Sequence, residues 1–247
     1  MPKKGKKGDV YRRLAKHLDD LPAGFPPTKS GVELRILSRL FTEEEAEMAI
    51  LLSVLPEGPE SVAVRAHLPV AETARRLEAM SRKGLIYRQL AEDGGFRYSA
   101  NHFVIGIWEY QVNRLDPEII RDMDEYMDTL LTEGSWKKTP QLRVVPVGEA
   151  IPVRHEILAH EKAAEMVRGK ERFLVAPCIC RRERKMMGES CGKLEEACLI
   201  MGGAVEYYEQ NGMGRRITKE EALALLVQAE EEGLVLPPSN AKKISYI

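Results

Sequence analysis

The chain reads as an α+β protein, mainly helical, with an amino-terminal winged helix-turn-helix followed by a small α/β domain that carries cysteines. Three observations predict this. Residues 31–110 hold successive helix-period segments that end in two short β-type runs around a Gly-Gly tip. Residues 140–177 hold a strand-like run, a helical run and a second strand-like run, the order of a βαβ unit. All four cysteines then fall in one window, Cys178-x-Cys180, ten residues, Cys191, six residues, Cys198.

Residues 1–30 are expected to be a basic tail, with Lys3, Lys4, Lys6 and Lys7, and then a short helix. The tail is too poor in apolar residues to order itself. Over residues 10–21, Tyr11, Leu14, Ala15 and Leu18 recur at helical spacing until Pro22 ends the run. Residues 31–115 form the winged-helix-like domain. Thr42 and Glu45 make a capping box before an apolar run over 46–55, which Pro56-Glu57-Gly58-Pro59 breaks. A short helix over 60–67 follows. Residues 70–83 make a third helix with Val70, Ala74, Leu77 and Met80 inward, stopped by Gly84. Residues 85–90 and 96–98, separated by a Gly-rich tip, make the hairpin wing.

In DNA readers of this class the third helix enters the major groove. Here it offers Arg75, Arg76, Arg82 and Lys83, but it also carries Glu72 and Glu78, and the wing tip carries Glu92 and Asp93. This mixed sign favours a protein–protein or structural module over DNA binding. Residues 104–113, with Trp108 and Tyr110, are expected to turn helical. In the linking-helix segment, 116–139, a helix opens on Asp116 as N-cap with Pro117 in the first turn and runs to about Leu131, with Gly134 as its end. Its stripe of Ile119, Ile120, Met123, Met127, Leu130 and Leu131 serves as core or as the seam of a homodimer.

In residues 140–247 the expected elements are a strand over 141–147, a helix over 153–168 and a strand over 172–176 that leads into Cys178. If the chain stays extended past Pro177, Cys178 and Cys180 aim their sulfurs to one side. Cys191 follows a Gly188-Glu189-Ser190 turn, and Cys198 falls on a helix expected to begin near Lys193 and continue through Tyr208. Four thiols this close point to a metal, a cluster, a redox pair or two disulfides, in that order. The spacing matches neither the common ferredoxin run nor paired C-x-x-C zinc sites, so it specifies a metal more firmly than which metal. Arg181, Arg182, Arg184 and Lys185 place positive charge beside the thiols, and the arginines are expected to support a thiolate-ligated group from its second layer. His155 and His160 stand five residues apart and share no helix face. Thr218 and Glu221 make another capping box, for a helix that ends near Glu232 before Gly233. The Gly212-Met213-Gly214 loop lacks the glycines and preceding strand of a dinucleotide fingerprint, and no catalytic constellation appears, so no enzyme class is assigned.

With 44% hydrophobic and 30% charged residues and a formal net charge of −1, the composition is that of a soluble globular chain. It argues against a protein devoted wholly to nucleic acid. There is no apolar run near membrane-spanning length and no signal-peptide pattern, so a cytoplasmic, reducing location with no membrane partner is expected. Disulfides rank last for that reason.

Four segments carry a resemblance: Pro-Thr-Lys-Ser-Gly-Val-Glu-Leu at 27–34, Leu-Phe-Thr-Glu-Glu-Glu-Ala-Glu at 40–47, Ala-Pro-Cys-Ile-Cys-Arg at 176–181 and Gly-Leu-Val-Leu-Pro-Pro-Ser-Asn at 233–240. Together they resemble a family of 4Fe-4S-binding, ferredoxin-type proteins of anaerobic bacteria and archaea, over nearly the whole chain. The resemblance implies a 4Fe-4S cluster, with zinc as the alternative, and electron transfer to or from a redox protein or ferredoxin-type domain. Members usually continue into a cysteine-dense segment and ferredoxin repeats. This sequence stops at Ser245-Tyr246-Ile247, about where that continuation is expected, so a shorter paralogue or a truncated chain is anticipated, with one cluster on Cys178, Cys180, Cys191 and Cys198. The alternatives are a redox- or metal-sensing winged-helix transcription regulator and a structural zinc protein.

Overall fold

The computed structural model describes residues 9–138 and 163–237, and the chain divides into two compact units, 1–139 and 140–247. The architecture is α+β and mainly helical, with small antiparallel sheets. Among the described residues no helix is long and apolar enough to cross a membrane. The strand expected over 141–147, most of the helix expected over 153–168, and His155 and His160 lie outside the described residues.

The amino-terminal unit begins with α1 (Asp9–Asp19), whose Val10, Leu14 and Leu18 are buried. Then come α2 (Val32–Leu40), α3 (Glu43–Ile50), α4 (Pro59–Ala66) and α5 (Val70–Arg82). The Thr42–Glu45 capping box is formed in both directions at the start of α3, satisfying two otherwise orphaned N–H groups. Helix α2 has no counterpart in the sequence reading. Its first turn carries no side-chain cap, and is instead organised by Thr28, whose hydroxyl accepts from the Gly31 N–H at 2.9 Å and donates to buried Glu33.

In α5, Leu77 and Met80 are buried as expected, but Val70 at the helix start is 46% exposed, and the inward positions include Thr73 and Ser81. The hairpin β1 (Tyr87–Leu90) and β2 (Phe96–Ser99) pairs in register from Tyr87↔Ser99 to Leu90↔Phe96, and Glu57 adds a bridge to Tyr98. The helix expected over 104–113 is replaced by an irregular turn at Phe103–Ile107 and a single turn at Glu109–Gln111, because Val104 and Ile105 hold extended backbone angles. Trp108 and Tyr110 are buried all the same.

Helix α6 (Pro117–Thr132) is capped by Asp116, whose carboxylate accepts from the N–H groups of Glu118 and Ile119 at 2.8 and 2.9 Å. Its buried stripe is Ile119, Ile120, Met123, Tyr126 and Leu130. Leu131, placed on the stripe by periodicity, is 45% exposed. The stripe packs within the unit against α2, and its rim is ionic: Arg35 pairs with Asp122 and Glu125, and Arg39 with Glu118 and Asp122. Tyr126 stacks on Phe25 at 4.9 Å and donates to the Pro26 carbonyl at 3.0 Å, which pins the proline-rich loop to the core. A short helix, α7 (Gly134–Lys138), ends the described part of this unit.

The carboxy-terminal unit contains α8 (Ala163–Arg168), β3 (Phe173–Pro177), α9 (Ile179–Met186), β4 (Glu196–Met201), α10 (Ala204–Gln210), β5 (Arg215–Ile217) and α11 (Lys219–Glu231). Strand β3 is central in the order β4-β3-β5, antiparallel to both neighbours. Both described partners of β3 follow it in sequence, and short antiparallel returns suffice to reach them, whereas the first strand of the expected βαβ unit lies outside the described residues. Phe173, Leu174, Val175 and Ala176 are each at most 2% exposed, and successive residues face opposite sides, so both faces of β3 are covered. On one face Phe173 joins Ala163, Val167, Ala222 and Leu226.

Two outcomes can be measured. Arg88, buried in the hairpin, pairs with Glu78 of α5 and lies 4.8 Å from the centre of the Phe96 ring. Desolvation works to raise the Glu78 pKa, but hydrogen bonds from Arg88 and Arg82 outweigh it and hold it low. Glu78→Ala removes a carboxylate from a buried guanidinium and is expected to cost about 3 kcal/mol. Arg88→Met leaves a partly exposed Glu78 still bonded to Arg82 and should cost about 1–2 kcal/mol in denaturant unfolding. The second outcome concerns His17 and His102, whose pKa values are both lowered by burial. Protons therefore bind the unfolded chain more readily, so stability is complete above the ordinary value and falls as pH drops below about 6.5. The double variant His17→Gln, His102→Gln should flatten most of the fall in melting temperature between about pH 7 and pH 5.

Candidate metal centre

Strand β3 ends at Pro177 and delivers Cys178 as the residue just before α9. The extended path past Pro177 on which the expected alignment of the two sulfurs depended ends at once: Cys178 stands at the N-cap position of α9, without a side-chain capping bond, and Cys180 lies in its first turn. Cys198 lies on β4 opposite Ala176, not on a helix. The local sequence Glu-Glu-Ala-Cys-Leu-Ile-Met favours helix by composition, but pairing with the buried central strand prevails. Of the helix expected to run on through Tyr208, only the part after Gly202-Gly203 forms, as α10.

These placements converge on one sulfur. Cys178 shares side-chain hydrogen bonds with Cys180 and Cys198. Those bonds, followed by the Arg181 backbone N–H and the Arg181 charge, draw the Cys178 thiol far below the ordinary range against the opposing effect of burial. No disulfide joins any of the four cysteines; Cys178 and Cys198 are partly buried, whereas Cys180 and Cys191 are exposed. Cys191 lies on the loop between α9 and β4. Among the described residues, no three or more Cys, His, Asp or Glu side chains are disposed to chelate a metal ion. The thiols are gathered around Cys178, but the set is not closed into a cage.

The basic residues of α9 grip the Cys191 loop. Arg181 donates to the Leu194 carbonyl at 2.6 Å, Arg182 and Lys185 each pair with Glu195 at 3.0 Å, and Arg184 pairs with Glu189 at 3.0 Å. From the other side, Glu232 accepts from the Leu194 N–H at 2.7 Å and its carbonyl accepts from Lys193 at 2.6 Å. Of the three arginines expected around the thiols, Arg181 thus acts on Cys178 directly, while Arg182 and Arg184 pair with carboxylates of the loop. Glu195 and Glu232 escaped the sequence reading, because an acidic residue 13 or 38 positions from its partner carries no local signal.

The DNA-contact candidates belong to the amino-terminal unit, and each has an acidic neighbour. Arg75 and Arg76 pair with Glu72 at 2.8 and 2.6 Å, Arg82 with Glu78 at 2.8 Å, and Lys83 with Glu45 at 2.5 Å. At the hairpin tip Arg97 pairs with Asp93.

Gly214 shows how tightly the strand behind the thiols is packed. A Cβ there would lie 2.4 Å from the Val175 carbonyl oxygen and 2.5 Å from a Leu174 methyl. Gly214→Ala is expected to displace β3 and lower stability by about 1–3 kcal/mol, measured by denaturant unfolding. No family model matches the chain, and no characterised protein or solved structure is significantly similar to it.

Proposed function

We propose that this chain is an iron–sulfur protein of the electron-transfer kind, with Cys178, Cys180, Cys191 and Cys198 as the ligands of a 4Fe-4S cluster. The observation that carries the proposal is the convergence of Cys180 and Cys198 on the Cys178 sulfur at the end of a rigid, doubly paired strand. Three soft donors held together, with a fourth on the adjoining loop, fit a thiolate-ligated group. The resemblance carried by Ala-Pro-Cys-Ile-Cys-Arg supports iron–sulfur over zinc.

When bound, such a cluster supplies one-electron redox chemistry. The chain's own contributions are separate from it. Cys178 is presented at a fixed point by its backbone N–H, which donates to the Glu195 carbonyl at 2.7 Å. Arg181 favours negative charge on that sulfur through its N–H and its guanidinium. The amino-terminal unit, read as a winged-helix module, is proposed to dock a redox protein or ferredoxin-type domain and not to read DNA. Phosphate contact by Arg75, Arg76, Arg82 or Lys83 would have to compete with the carboxylate already beside each of them.

Protein purified without oxygen is expected to contain about four iron and four acid-labile sulfide per chain and to absorb broadly in the visible, and Cys178→Ser should abolish both. About one zinc per chain with no visible absorption would overturn the electron-transfer reading in favour of a structural metal site.

A further inference from the structure

The four cysteines are not held equally. Cys178 is fixed by its backbone bond to Glu195, Cys180 by helix α9, and Cys198 by its pairing with Ala176. The loop bearing Cys191 is clamped at Glu189, whose N–H donates to the Arg184 carbonyl at 2.7 Å, and again at Lys193 and Leu194. Between the clamps lie Ser190, Cys191 and Gly192, whose described hydrogen bonding is one local contact from the Gly192 N–H to the Ser190 hydroxyl at 3.2 Å. Gly188 and Gly192 flank the cysteine with φ of 79° and 68°, and open space surrounds both. Three such residues span at most about 10 Å.

Resting on the metal-site reading above, we infer that Cys178, Cys180 and Cys198, each held by helix or sheet, are the permanent ligands and that Cys191 is an exchangeable fourth ligand, whose place a small external thiol can take. A donor on a short, weakly held tether has an effective concentration at the site of roughly millimolar. An external thiol at millimolar concentration therefore competes with it on equal terms, whereas it cannot replace donors built into a helix and a sheet. A labile position of this kind is where a metal-delivering or redox-active thiol would engage the site.

The test uses Co2+ as the probe, since its visible spectrum reports the number of thiolate ligands. The full-length metal-free protein is titrated with Co2+, alone and with about 5 mM 2-mercaptoethanol. Cys191→Ala is expected to bind Co2+ roughly tenfold more weakly, with reduced thiolate charge-transfer intensity, and 2-mercaptoethanol should restore the wild-type spectrum. Cys178→Ala, Cys180→Ala and Cys198→Ala should lose binding more than a hundredfold without rescue, and Cys→Ser versions guard against misfolding of the alanine forms. Equal loss at all four positions, or equal rescue at all four, would overturn the exchangeable-ligand inference and leave the metal site standing. Failure of the wild-type protein to bind Co2+ would overturn both.

Discussion

The carboxy-terminal unit depends on the burial of a single strand. Residues Phe173 to Ala176 are covered on both faces and hydrogen-bonded along both edges, so β3 has nowhere to shift. A one-residue slip would exchange the contents of its two apolar faces, a cost spread over every residue of the strand. Fixing the strand fixes its end, and Cys178 follows immediately. The position of Cys198 comes from the same constraint, since its register against Ala176 is part of the ladder. Two of the four sulfurs are therefore placed by backbone pairing, before any interaction between thiols is considered.

Polar contacts then do what the small core cannot. The segment from Gly188 to Glu195 has no regular structure, and it is positioned by charge: one face of α9 supplies Arg181, Arg182, Arg184 and Lys185, and the end of α11 supplies Glu232. Individually these exposed pairs contribute little. Their effect comes from number and geometry, because they hold both ends of a short segment while leaving its middle loose. In the amino-terminal unit charge is arranged differently, around one buried guanidinium that links the hairpin to α5 and around an ionic rim along the α2–α6 seam.

What was legible in the sequence was local. The Thr42–Glu45 and Thr218–Glu221 capping boxes and the Asp116–Pro117 helix start are written within four residues each, and all three form. Helix α2 was hidden because Gly31 provides no side-chain cap and the organising contacts come from Thr28 upstream. Strand β4 was hidden because Glu195-Glu196-Ala197 and its apolar continuation suit a helix, and only the presence of β3 makes them a strand. Strand β5 is three residues long, two of them exposed arginines, and has no pattern to read apart from its partner. The same division runs through the candidate site: the cysteines announce themselves by spacing, while the carboxylates that organise their loop are brought in by the fold.

The order β4-β3-β5 also bears on how the protein is made. The strand at the centre of this sheet is synthesised before either of its described neighbours. Because the chain emerges from the ribosome amino terminus first, Cys178 and Cys180 are exposed while Cys198 is still being added, and one edge of β3 stays open until β5 has emerged. The three-thiol arrangement is thus a late product of translation. In an oxidising cell that interval is a period of vulnerability for the early thiols, which a reducing one would spare.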